Sequence, residues 1–193
     1  MMSSHPPKRD YSAALKSLLK SALLLALLAA GAHWSWHQPF MARPRALWEL
    51  SRMPVPTAVA MPVEGVQARQ VADTFGAPRG RDRSHQGVDI FASRGTPVLS
   101  ATRGVVASVR EGGLGGRQVW VFGPGHQRHY YAHLDDWAPG LAEGDVVVEG
   151  SVLGTVGDTG NARGTPPHLH YGIYGAGGAI DPLPLLRAGA ATR

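Results

Sequence analysis

Four histidines and one aspartate carry the chemistry this chain can do. His85 and Asp89 lie four residues apart, and on an extended strand such residues point the same way. His168 and His170 stand at i and i+2 in Pro166-Pro167-His168-Leu169-His170. The two prolines and the following Tyr171, Ile173 and Tyr174 favour a strand, which puts both imidazoles on one face. His133 sits in Tyr130-Tyr131-Ala132-His133-Leu134, where strand alternation groups His129, Tyr131 and His133. His126, His129 and His133 form a rival set at helical spacing, but the Gly123-Pro124-Gly125 turn before them disfavours a helix.

A catalytic zinc takes three protein ligands from His and carboxylate and leaves one position open. His85, Asp89 and one of the His168/His170 pair supply two nitrogens and an oxygen. The other member of the pair and His133 remain as free imidazoles, suited to move a proton at neutral pH. That is equipment for hydrolysing an amide. Each piece alone is weak: an H-x-H is commonly two surface histidines on a strand, and His133 alone reads as a satisfied structural residue.

Short β-branched or aromatic runs must position these side chains. HQGVDIFA, TPVLSATRGVVASVR, RQVWVFGPG, QRHYYAHL, GDVVVEGSVLGTVGD and HLHYGIYG alternate with Gly-containing turns, which predicts a mainly β body without an internal repeat. With 193 residues, 44% hydrophobic and 17% charged, the chain can build one domain with a core. It has no cysteine, which excludes a disulfide scaffold, a thiol nucleophile and any Cys-ligated metal. All three lysines fall in the first 20 residues, and the segment after residue 32 carries 15 Arg against 13 acids. The net charge of +5 is thus partly an N-terminal property, and the body is not basic enough to argue for nucleic acid.

Ser21–Ala32 is a twelve-residue uncharged run behind a basic leader. It reads as a signal peptide cut at Ala30-Gly31-Ala32 or, extended over Leu18–Trp36 to about 28 Å, as a single-pass anchor with Trp34 and Trp36 at the far interface. We take the anchor as the expectation; either reading exports the body. The expected organisation is a cytoplasmic leader at 1–20, the signal-anchor helix or signal peptide at 21–36, a Pro-containing linker at 37–64 with a short helix near Ala46–Met53, the β domain at 65–187 and a tail at 188–193.

The body resembles the lysostaphin-type, LytM-like zinc metallopeptidases of bacterial cell walls. The resemblance runs over roughly 110 residues, from Thr74-Phe75-Gly76 through Ser84-His85-Gln86-Gly87-Val88-Asp89-Ile90, Gly95-Thr96-Pro97-Val98, Tyr131-Ala132-His133-Leu134 and Val156-Gly157-Asp158-Thr159-Gly160-Asn161 to Gly164-Thr165-Pro166-Pro167-His168-Leu169-His170-Tyr171. It implies an antiparallel β-sheet groove with one zinc ion on its floor, held by His85, Asp89 and His170. It implies that His133 and His168 are unligated catalytic histidines, and that Gly154–Gly164 forms a wall loop. The implied substrate is peptidoglycan stem peptide at the periplasmic face of the inner membrane, with D-alanyl cross-links favoured. Asp158 departs from the Asn or Ser that often precedes Thr-Gly. A non-catalytic, wall-binding or amidase-activating domain is the alternative, and an exported zinc carrier is disfavoured because no His-rich tract is present. Arg79, Arg81 and Arg83 read either as a lure for carboxylate-bearing peptides or as a solvated loop; Trp120 and Trp137 as a substrate wall or as packing.

Overall fold

The computed structural model describes residues 11–79 and 82–191. Lys8 and Arg9 of the basic leader, Arg81 of the arginine run and residues 192–193 of the tail lie outside them. The chain divides into two units, residues 1–42 and 43–193.

In the first unit, α1 (Tyr11–Trp36) is one uninterrupted helix of 26 residues. It takes in Lys16 and Lys20, so its described part begins well before residue 21. Ser12–Trp36 is long and apolar enough to cross a membrane by length and composition. Its length of about 39 Å exceeds a hydrocarbon core. The amides of His37 and Gln38 close the last turn on the carbonyls of Trp34 and Ser35, and Pro39, which lacks an amide hydrogen, follows.

The second unit contains α2 (Ala42–Arg52, Ala42 itself belonging to the first unit), nine strands and α3. The strands are β1 (Val88–Phe91), β2 (Pro97–Leu99), β3 (Gly104–Glu111), β4 (Arg117–Phe122), β5 (Arg128–Trp137), β6 (Val146–Val147), β7 (Val152–Val156), β8 (His168–Gly175) and β9 (Gly178–Ile180); α3 is Pro182–Ala191. All pairings are antiparallel, in the order β1-β8-β5-β4-β3-β6; β9 joins β8, and β7 bridges β5 and β2. The mainly β expectation holds, and the period of two shows directly. On β8, Leu169, Tyr171 and Ile173 enter the core, while His168 and His170 take the opposite face. Val88 and Ile90 of β1, Val119 and Val121 of β4, and Tyr131 of β5 meet them in one core.

Three segments differ from the sequence reading. Residues 59–63, expected as linker, run beside β2 as a strap. Val63 pairs with Val98, Leu99 donates to the Pro62 carbonyl, Ala60 donates to that of Ala101, and Val59 and Val63 are buried in the main core. Prolines suit such an edge, where no ladder donor is needed. α2 also begins earlier than expected, placing Ala46 and Leu50, one turn apart, on Val105. α3 was not foreseen at all. Its two prolines and ten residues hide the helical period, yet Pro182 stands at the tolerated first turn and the Leu183 amide is capped by Asp181 Oδ1 at 2.9 Å. Leu183, Leu186 and Gly189 form its buried face, and Gly189 is needed because a Cβ there would lie 2.1 Å from the Val59 carbonyl oxygen.

His129, on the core face of β5, is fully buried with Nδ1 2.8 Å from the Tyr171 hydroxyl. Burial pulls its pKa down to about 4.

Two stability measurements check this packing. Leu186→Ala removes the side chain that seats α3 and should cost about 3 kcal/mol in urea unfolding. His129 titrates near 6.5 when unfolded, so below that pH the unfolded chain takes a proton that the folded chain refuses. Its contribution, about 3 kcal/mol from that difference, is present above pH 6.5 and lost as pH falls toward 4. His129→Gln should flatten the fall in stability over that window.

Candidate metal centre

The register of β1 on β8 builds the centre. Asp89 lies opposite His170, and Phe91 opposite His168. Residues paired in this way have Cβ atoms about 5 Å apart. On the other side of β8, Ala132 of β5 pairs with His170, so a small side chain leaves room above the floor. His85 is not on the strand. It closes an arch before β1, where its amide donates to the Ala77 carbonyl and its own carbonyl accepts from Gly76.

His85, Asp89 and His170 converge. His85 Nε2 is 2.9 Å from His170 Nδ1, and Asp89 Oδ1 is 3.1 Å from each nitrogen. Zinc bonds of about 2.0–2.1 Å along tetrahedral directions place ligand atoms about 3.3 Å apart. The triangle is therefore close to the size zinc requires. The donors are also in the right state. His85 Nδ1 donates to the Thr74 carbonyl at 2.7 Å, so Nε2 faces the cluster with its lone pair. For Asp89, burial acts to raise the pKa, but the His170 and His85 rings and the Arg79 guanidinium beside it outweigh burial and hold the carboxyl well below its usual range. Burial lowers the His170 pKa, which favours the neutral ligand form.

Gly87, between His85 and Asp89, is where β8 comes closest. A Cβ there would stand 2.4 Å from the Tyr171 carbonyl oxygen and 3.0 Å from His170 Nε2. The spacing His-Gln-Gly-Val-Asp thus needs its glycine to let the imidazole in.

His133 and His168 stand over the triangle. Their rings are 5.1 Å apart, and His168 Nε2 is 3.9 Å from Asp89 Oδ1. Each gives its Nδ1 hydrogen to a backbone carbonyl: His133 to Thr159 at 2.9 Å, His168 to Pro166 at 2.8 Å. In its neutral form each ring then presents an Nε2 lone pair to the cleft. Burial pulls the His133 pKa down to about 4, so that ring is neutral near pH 7.

The sequence grouping of His129, Tyr131 and His133 on one face is corrected here. His133 has φ +63°, and the β4–β5 register slips between Arg117–Leu134 and Val119–Tyr131. This bulge turns His133 out of the core face that His129 and Tyr131 occupy. The rival set of His126, His129 and His133 is not assembled, since His129 is in the core and His126 is exposed.

The five residues line one open cleft of about 520 Å³. Asn161, Ala162 and Thr165 form one wall, as the Gly-rich loop was expected to do, and Leu114 and Gly115 another. Arg79 and Arg83 stand at its rim. None of residues 43–64 lines it. Trp137 is partly buried against the core, and Trp120 stacks on Tyr130 at 4.3 Å without lining the cleft.

Several residues to which the sequence reading gave no individual role hold the site. Thr74 and Pro166 act through their carbonyls, so no side-chain pattern could flag them. Thr159 could have been noticed: its hydroxyl donates to the Leu134 carbonyl and accepts from the Arg117 amide, stitching the loop to the bulge that carries His133.

The model of the family described as Peptidase family M23 matches residues 83–182. The chain is 40% identical over 126 residues to an L-Ala–D-Glu endopeptidase of Bacillus subtilis, covering 60% of this chain and 39% of that protein. It is 39% identical over 102 residues to a DD-carboxypeptidase/endopeptidase, Mpg, of Neisseria meningitidis, covering 52% and 22%. The catalytic domain of the antimicrobial peptidase lysostaphin from Staphylococcus simulans superposes with a TM-score of 0.54 at 30% identity, covering 61% of this chain and 91% of that domain. The chain spans about two fifths or less of the length of these two curated relatives.

Gly87→Ala tests the floor of the site. The added methyl meets backbone oxygen, so β1 and β8 must part. Zinc affinity, measured by chelator competition, should fall at least tenfold, with a stability loss of about 1–3 kcal/mol.

Proposed function

The chain belongs to peptidase family M23, and from that premise we propose that its body is a zinc-dependent endopeptidase that hydrolyses the peptide cross-links of bacterial peptidoglycan. One observation carries the reading. The His85–Asp89–His170 triangle and two carbonyl-anchored imidazoles face the same open cleft. A structural metal site would be closed by a fourth protein ligand, and none is supplied here among the described residues.

His85 Nε2, Asp89 Oδ1 and His170 Nδ1 would hold the ion. Zinc bound there supplies Lewis acidity to the scissile carbonyl and lowers the pKa of a water. The chain's own residues do the rest. His133 and His168 offer Nε2 lone pairs, and either can accept the proton of the attacking water. An imidazole whose Nδ1 hydrogen is committed to a carbonyl can donate from Nε2 only after gaining that proton. The proton taken up at one Nε2 is thus the one presented to the charge developing on the carbonyl oxygen, and then to the leaving amine. Gly115 and Ala132 keep side chains away from the cleft, which suits an extended peptide.

The relatives' names support the substrate class, since each names a peptide bond or an activity met in cell walls. We favour the D-alanyl cross-link, in line with the DD-endopeptidase activity named for the Neisseria relative, over the L-Ala–D-Glu bond named for the Bacillus relative. The reading also requires export, and α1 supports it: Lys16 and Lys20 mark the inner end and Trp34 and Trp36 the outer one. We propose that α1 anchors the peptidase at the periplasmic face of the inner membrane.

The test joins metal analysis to mass spectrometry of muropeptides released from sacculi. The wild type should release cross-link cleavage products, and a chelator should stop it. Asp89→Ala and His170→Ala should lose both zinc and products. His133→Ala and His168→Ala should keep zinc and lose turnover by 10²-fold or more. Full activity in His170→Ala, or a zinc-loaded wild type that is inert yet stimulates another wall hydrolase, would overturn the peptidase.

A further inference from the structure

The two oxygens of Asp89 have different neighbours. Oδ1 faces His85 and His170, while Oδ2 accepts a hydrogen bond from Arg79 Nη2. We propose that Arg79 is a positioning residue for the metal centre: its guanidinium occupies Oδ2, so that Asp89 offers the ion Oδ1 alone, in one fixed orientation. The inference rests on the zinc reading above and goes further, because it assigns the arginine a task that neither the ligand set nor substrate attraction requires.

A carboxylate with two free oxygens can bind a cation through one or both, and an aspartate can turn about two bonds to do so. Here both options are closed. Arg79 holds the outer oxygen from the rim, and the inner one is left between the two ring nitrogens. Ligation by a single oxygen keeps three protein atoms on the ion and leaves a position free for water or substrate. Arg79 also supplies the positive charge that a buried carboxylate needs before any metal arrives.

The arch makes this arrangement dependable. Pro78 pairs with Ser84, the Arg79 amide donates to the Arg83 carbonyl, and the His85 amide donates to that of Ala77. One two-stranded pin thus carries the ligand His85 and the holder Arg79. Thr74 fixes its base to the strand, with its carbonyl on His85 Nδ1 and its hydroxyl 3.3 Å from the Asp89 amide. The guanidinium also repels a cation in the site. Its side chain is 46% exposed, so water screens that repulsion more than it weakens the direct bond to Asp89.

The test measures zinc affinity of the full chain by chelator competition, with Arg79→Gln and Arg79→Lys beside the wild type and far-UV circular dichroism of the metal-free proteins as the folding control. Arg79→Gln should weaken zinc binding by tenfold or more, the loss typical of a missing outer-sphere partner. Arg79→Lys, which keeps the charge but not the fork, should recover part of it. Cobalt(II) substituted into the site gives a second readout. If Asp89 becomes free to bind through both oxygens in Arg79→Gln, the visible bands lose the intensity of a four-coordinate ion. Zinc affinity within twofold of the wild type, or tighter, with an unchanged cobalt spectrum would overturn the role. A raised KM alone would make Arg79 a substrate contact instead. A wild type that takes up no zinc would sink the metal reading and this role together, and is distinguished from the other outcomes by the wild-type titration itself.

Discussion

The site depends on the alignment of one short strand. β1 has four residues, and its pairing with β8 sets Asp89 across from His170 while Val88 and Ile90 enter the core. Side chains alternate along a strand, so a slip of one residue would drive Asp89 into the hydrocarbon interior and push Val88 and Ile90 toward water. Burying those two aliphatic side chains and excluding one carboxylate both favour the observed register. The hydrophobic effect, which is not directional, becomes directional through this alternation. It aims a carboxylate at an imidazole some 80 residues away in sequence with no need for a strong polar contact between them.

Once the register is set, backbone carbonyls finish the work. Three of the four cleft histidines give one ring hydrogen to a main-chain oxygen, of Thr74, Thr159 or Pro166. Each such bond fixes the tautomer and the ring plane together. It costs no charge, and it leaves the opposite nitrogen as a lone pair in the cleft. A side-chain carboxylate in those places would add negative charge around Asp89, whose burial already disfavours ionisation. Neutral anchors allow several imidazoles to crowd one carboxylate without turning the cluster into a set of competing ion pairs.

The residues that meet in the cleft were legible because they rest on type and spacing. Asp89, His168 and His170 follow strand alternation. The family resemblance separated His168 from His170, which alternation alone could not do, since both occupy one face. His133 shows where alternation stops. Its ring reaches the cleft only because one extra residue is inserted in β5 opposite β4, and a bulge leaves no mark in a pattern of apolar and polar residues. The strap at 59–63 and α3 were missed for a related reason. Their proline-rich sequences look like breaks, whereas long-range pairing with β2 and a capped first turn make them structure.

The departure at Asp158 is explained by its partner. Arg94 reaches both Asp158, at 2.7 Å, and Asp135 on β5, and its charge holds the Asp158 carboxyl below its usual range. An exposed ion pair by itself contributes little to stability. This one joins the turn at 157–160 to the strand just past the bulge. Thr159, the next residue, binds Leu134 and Arg117 through its hydroxyl and His133 through its carbonyl. A shift of that turn would carry the carbonyl away and free the His133 ring to rotate. Asn or Ser at residue 158 would retain a hydrogen-bonding group but not the charge that draws Arg94 across. In this chain, then, a surface contact of small energetic worth acts on geometry: it holds in place the turn whose backbone oxygen orients a buried imidazole.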